Sequence, residues 1–131
     1  ENDGARLIDF LFQNGFKDNY ALLEIKTHNT PLLKNKAYRE PHAFAVHDKC
    51  AGAIAQCLDQ KHTFLTGEGA NLSFDPSVAL VIGQKSKLSI EQIPAFELAR
   101  SNQKSVDIVT FDELFEKVVA LRNLLLGSAE E

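Results

Sequence analysis

The sequence predicts an α/β domain built on a mixed β-sheet that opens with an antiparallel hairpin and is flanked by helices. Three observations predict it. Two strand-like runs stand close together near the start, separated by a short turn containing Asn14-Gly15. The apolar run Val78-Ala-Leu-Val-Ile82 has the composition of a strand covered on both faces. Ser89 with Gln92, and Thr110 with Glu113, are capping-box pairs that open helices around a last short strand.

Taken in order, residues 5 to 13 are rich in branched and aromatic side chains and read as the first strand, and residues 20 to 27 as the second. The four to six residues between them fit a hairpin. Residues 28 to 47 hold Pro31, Pro41 and three of the four histidines, and read as a long connector of the kind that often carries function. Asp48 is the expected N-cap of a helix running from Lys49 to about Leu65, with Ala51, Ile54, Leu58 and Leu65 as its buried stripe. After strand 78–82, a helix runs from Ser89 to about Ala99, and Val106–Val109 form the last strand. Leu114, Phe115, Val118, Val119, Leu121 and Leu125 give the final helix one apolar face. That face reads first as core packing and second as a subunit contact.

With 131 residues, 44% apolar and 24% charged, the whole chain 1–131 reads as one globular domain. The absence of Met and the start at Glu1 suggest the C-terminal part of a longer protein. The apolar runs are too short for a membrane helix. A net charge of −4 excludes nucleic-acid binding through bulk electrostatics alone, so any such role needs a local site. Cys50 and Cys57, seven residues apart on one helix, stand about 10 Å apart, too far for a disulfide, which fits free thiols in a reducing cytoplasm.

The chemistry-bearing pattern lies in the first two strands. Glu24 and Lys26 are two residues apart, so they leave the same sheet face. A hairpin centred between Phe16 and Lys17 sets Asp9 opposite Glu24, with Cβ atoms about 5 Å apart. Two adjacent carboxylates repel unless a cation lies between them. Mg²⁺ (or Mn²⁺) resolves this, since it accepts one or two carboxylates and keeps waters and phosphate oxygens as its other ligands. Such an ion acidifies a water and polarises a phosphoryl oxygen. Lys26 could then orient the nucleophile or offset charge on the phosphorane, which amounts to phosphodiester hydrolysis. The plainer alternative is a solvated Glu-x-Lys face with Asp9 as a strand-edge charge. A turn shifted by one residue would point Asp9 away from Glu24.

Asp9, Glu24-Ile25-Lys26 and Gln56 together resemble the PD-(D/E)xK nuclease superfamily. The segments Ala21–Leu33, Tyr38-Arg39, Gly52–Gln56, Phe96–Arg100 and Val106–Leu114 resemble the nuclease domain of Shedu anti-phage defence proteins, over about Ile8 to Leu125. The resemblance implies a restriction-endonuclease-like fold in a cytoplasmic bacterial protein. It implies an endonuclease that nicks or cuts invading DNA with Mg²⁺ or Mn²⁺ and works as a homo-oligomer, a tetramer by the same likeness. It also implies Asp9 and Glu24 as metal ligands, the Ile25 carbonyl as a third, Lys26 as the catalytic lysine, and Gln56 as the supporting helix glutamine. Gln60, one turn on, shares that helix face and is grouped with the DNA contacts. Ile8 stands where the superfamily often has Pro, and a further acidic residue from an upstream helix would lie before this chain.

Among the remaining features, Lys34, Lys36 and Arg39, with Tyr38, follow the second strand and are candidate DNA-backbone contacts or simply solvated charges. His28 reads as a loop histidine, and alternatively as a contact to the scissile phosphate. His47, Cys50, Cys57 and His62 are too spread along a helix for one zinc site. Lys85 and Lys87 read as solubilising. The rival to a nuclease is a non-catalytic module, used for oligomerisation or for sensing DNA ends.

Overall fold

The computed structural model describes residues 10–14, 19–67 and 76–127, with side chains from 21 onward. Strand β1 is Phe10–Asn14, β2 Asn19–Ile25, β3 Ser77–Val81 and β4 Asp107–Val109; helix α1 is Asp48–Thr66, α2 Gln92–Ser101 and α3 Phe111–Leu126. A 3₁₀ turn, Lys85–Lys87, follows β3.

The expected sheet needs correcting. The layer that carries the core is the three-stranded, all-parallel set β2-β3-β4, accompanied by three helices; it is α/β, but not a restriction-endonuclease-like mixed sheet founded on an antiparallel hairpin. The reason lies in the connections. Helix α1 falls between β2 and β3, and α2 between β3 and β4, so each crossover returns the chain to the same end of the sheet. β1 runs antiparallel alongside β2, from Phe10 opposite Leu23 to Asn14 opposite Asn19. Residues 15–18 lie outside the described residues, so no hairpin is part of the described fold.

One face of the parallel sheet makes the core. Leu22, Val78, Leu80 and Ile108 pack with Cys50, Ala53 and Cys57 of α1 and Phe96 of α2. The α1 stripe is therefore displaced from the expected one. Ala51 and Leu58 are exposed, while Cys50, Ala53, Cys57 and Gln60 are buried. The small side chains of Cys50, Ala53 and Cys57 let the helix lie close to the sheet. Neither cysteine is in a disulfide and both are buried, and burial pushes the Cys50 thiol up to about 11. The N-cap of α1 is His47 rather than Asp48: its Nδ1 accepts from Lys49 N–H at 3.1 Å. The Ser89–Gln92 box forms, with Ser89 N–H donating to Gln92 Oε1 at 2.9 Å and Gln92 N–H to Ser89 Oγ at 3.2 Å. Thr110 N–H donates to Glu113 Oε1 at 3.1 Å at the start of α3.

The connector 28–47 is more ordered than its composition suggests. Leu32 and Leu33 are buried, and Leu33 bridges Val46. Gly83 (φ 64°) clamps the start of the connector onto the strand ends: its N–H donates to Thr27 O at 3.0 Å, and a Cβ there would meet Thr30 O at 2.7 Å.

α2, β4 and α3 are tied by a polar cluster centred on Arg100. Its guanidinium donates to both Glu113 oxygens at 2.6 Å and to Glu97 at 2.7 and 3.0 Å, and stacks 4.8 Å from the Phe96 ring centroid. Lys85 joins through Glu97 at 2.7 Å, so it is part of an ion-pair network rather than merely solvated. The Arg100 hydrogen bonds hold the Glu113 carboxyl down at about 2, against an opposing effect of burial. A carboxyl lowered from its ordinary value of about 4.3 stabilises the fold above that value and loses the contribution as pH falls toward 2. Glu113→Gln is accordingly expected to lower the urea midpoint at pH 7, with the gap to wild type narrowing between pH 5 and pH 2.5.

Candidate active site

The end of β2 and the middle of α1 meet in a charged cluster. Alternation along β2 points Leu22, Glu24 and Lys26 toward α1, and Leu23 and Ile25 to the opposite face. Leu22 joins the core, whereas Glu24, only 4% exposed, buries a carboxylate one step further along. An ionised group at that depth needs compensation on both oxygens.

The surrounding side chains supply it. Lys26 Nζ lies 3.0 Å from Glu24 Oε1, and Gln56 Nε2 donates to the same oxygen at 3.2 Å. Gln60 Nε2 donates to Oε2 at 3.3 Å. Lys26 Nζ also donates to Gln56 Oε1 at 2.7 Å, closing a triangle of carboxylate, ammonium and amide. The orientation of the Gln56 amide follows from its neighbours. Turned over, it would set N–H groups against the ammonium and an oxygen against the carboxylate. Glu24, Gln56 and Gln60 are thus locked together, and Lys26, half-buried at the strand end, is the member that reaches toward solvent.

The structure brings together Glu24, Lys26, Gln56 and Gln60. Gln60 is not turned outward: at 3% exposure it lies beneath Glu24. Its spacing of four from Gln56 is the sequence signal that puts both on one helix face. Asp9 lies outside the described residues. Ile25 sits between the two charged residues, opposite Val81, with its side chain exposed on the other sheet face.

The other candidates stand apart from this cluster. His28 stands edge-on to Phe111, with ring centroids 6.3 Å apart, beside α3 rather than on the α1 side. Lys34 pairs with Asp48 at 3.5 Å at the start of α1. Lys36 and Arg39 are exposed on the connector, next to a fully presented Tyr38.

Chemically, Glu24 offers a hard, oriented oxygen donor of the type that Mg²⁺ and Mn²⁺ accept, and the amides around it fix its plane. Among the described residues no set of three or more His, Cys, Asp or Glu is placed to hold a metal ion. A divalent site here therefore needs a second carboxylate from elsewhere, or waters and a phosphate to complete it. No helix among the described residues is long and apolar enough to cross a membrane.

Comparison with known proteins adds the family context. Residues 2–115 match the family model described as "Shedu protein SduA, C-terminal". The chain is 35% identical to the Shedu protein SduA of Bacillus cereus (strain B4264), over 97% of this chain and 37% of that protein. It therefore spans little more than a third of the length of the curated relative.

Proposed function

Because the chain belongs to the family of Shedu SduA C-terminal domains, we propose that it is the nuclease part of an anti-phage defence protein, hydrolysing DNA phosphodiesters with Mg²⁺ or Mn²⁺. The observation that carries the reading is the Glu24–Lys26–Gln56 triangle. A buried carboxylate and a partly exposed ammonium share one face of a strand end, and a helix amide fixes both.

In this reading Glu24 and Asp9 hold the ion, with the Ile25 carbonyl as a third ligand. The bound ion would acidify a water and polarise the phosphoryl group. Lys26 then places its ammonium where negative charge builds on the phosphate oxygens, and its contact with Gln56 keeps it there. Lys34, Lys36 and Arg39 supply a local basic strip for the DNA backbone on a chain whose net charge is −4. The exposed apolar face of α3 serves contact between copies in a homo-oligomer. A cytoplasmic location accords with two buried cysteines that form no disulfide.

The test is plasmid nicking by the full-length protein with Mg²⁺, against the same reaction in a chelator and against Glu24→Gln. Wild type is expected to nick only with the metal. Glu24→Gln, which keeps the side-chain volume but removes the charge, is expected to lose 100-fold or more of the activity, about what loss of an electrostatic ligand costs. Undiminished nicking by Glu24→Gln, or nicking in the chelator, would overturn the reading.

A further inference from the structure

Glu24 is served differently on its two oxygens. Oε1 faces the half-buried side of the cluster and is shared by Lys26 at 3.0 Å and Gln56 at 3.2 Å. Oε2 faces inward and accepts from Gln60 at 3.3 Å. Gln60 is 3% exposed, so no DNA backbone reaches it without displacing α1. A polar side chain buried that deeply in a stripe otherwise made of Cys50, Ala53 and Cys57 is costly unless its hydrogen bonds are made. An apolar residue would serve packing alone at least as well.

We infer that Gln60 is a positioning residue for the metal-binding carboxylate: by gripping Oε2 it fixes the plane of Glu24 and leaves Oε1 directed toward the open side beside Lys26, where a divalent cation and a phosphate would enter. The inference rests on the nuclease reading above. It separates the two helix glutamines by task. Gln56 bridges the carboxylate and the lysine, whereas Gln60 touches the carboxylate from below and has no part in contacting substrate. Without the grip on Oε2, the carboxylate rotates about its last bond, and the entropy of holding it in the ligating orientation is charged to metal binding.

The experiment measures Mn²⁺ binding calorimetrically in the full-length protein without DNA, for wild type, Gln60→Met and Gln60→Leu. Both variants remove the N–H donor at nearly constant volume. The expected result is Mn²⁺ binding weakened 10- to 100-fold. Affinity for a duplex, measured by fluorescence anisotropy in the absence of divalent metal, is expected to stay within twofold. In nicking assays at low Mn²⁺ the turnover is expected to fall, with recovery as the metal is raised and KM for DNA unchanged. Unchanged Mn²⁺ affinity in a folded variant overturns the inference. So does a selective loss of DNA affinity, which would make Gln60 a DNA contact, and so does failure of both variants to fold, which would make it a residue of the core. A wild-type protein that neither binds Mn²⁺ nor nicks DNA is a different result, because it overturns the nuclease reading itself.

Discussion

Lys26→Ala is expected to reduce plasmid nicking by the full-length protein 100-fold or more while leaving fold and DNA affinity in place. The ammonium lies 3.0 Å from Glu24 Oε1 and 2.7 Å from Gln56 Oε1, so it has two possible jobs. One is to neutralise a buried carboxylate, and the other is to act on the substrate phosphate and the attacking water. The two predict different metal behaviour. Removing the ammonium takes a competing positive charge away from Oε1, so Mn²⁺ binding should hold or tighten. If Lys26 acts on the reacting groups, nicking should collapse even with the metal fully bound, by the roughly 10²- to 10⁴-fold typical of a lost catalytic side chain. If Lys26 only neutralises Glu24, saturating metal should restore the rate. Equal cutting by wild type and variant would remove the mechanism. Stability should drop modestly, because the lysine is 31% exposed and two amides still serve the carboxylate.

Much of this cluster was legible in the sequence for a simple reason. The period of two along a strand puts Glu24 and Lys26 on one face whatever the rest of the sheet does, and the period of 3.6 along a helix does the same for Gln56 and Gln60. Local capping chemistry was equally readable at Ser89–Gln92, because both partners lie within one turn. Long-range features were less accessible. Whether the sheet is founded on a hairpin or on parallel crossovers depends on how α1 and α2 return the chain, and no strand-length pattern records that. Of the apolar pattern Ala51, Ile54, Leu58 and Leu65 along α1, only Ile54 packs against the core cluster. The sheet is approached instead through Cys50, Ala53 and Cys57, where small side chains shorten the distance between layers. The spacing of Gln60 from Gln56 reports a shared helix face but not depth on that face, so the sequence alone does not separate a DNA contact from a buried residue. The Arg100 cluster joins three elements that are separate in sequence, so composition could only suggest solvated charge at Lys85.

The apolar face of the final helix reads from its pattern first as core packing, and the structure leaves it uncovered. Among the described residues none of α3 is buried, and Leu114, Phe115, Val118, Leu121, Leu124, Leu125 and Leu126 are all exposed. Leu114, Val118, Leu121 and Leu125 are spaced four, three and four residues apart, the seam that one helix presents to another. At the start of α3 the seam runs into an open, mostly apolar groove lined by Phe111, Leu114, Phe115 and Val118, with His28, Gln84 and Asp112 at its polar positions. If copies of the chain meet about a two-fold axis through this helix, the same apolar face would be buried on both sides. Leu121→Glu combined with Leu125→Glu is therefore expected to reduce the mass of the full-length protein, measured by light scattering, to half or less of the wild-type value. Each leucine is worth about 2 kcal/mol when buried and counts once on each side of a symmetric contact, so the association constant should fall by several orders of magnitude. The thermal midpoint of the dissociated variant, compared with dilute wild type, should barely move, because neither leucine belongs to the core cluster. An unchanged mass would show that this face joins no copies. Nicking by the dissociated form then decides whether assembly matters to the Glu24 cluster or only to how many such clusters reach one DNA.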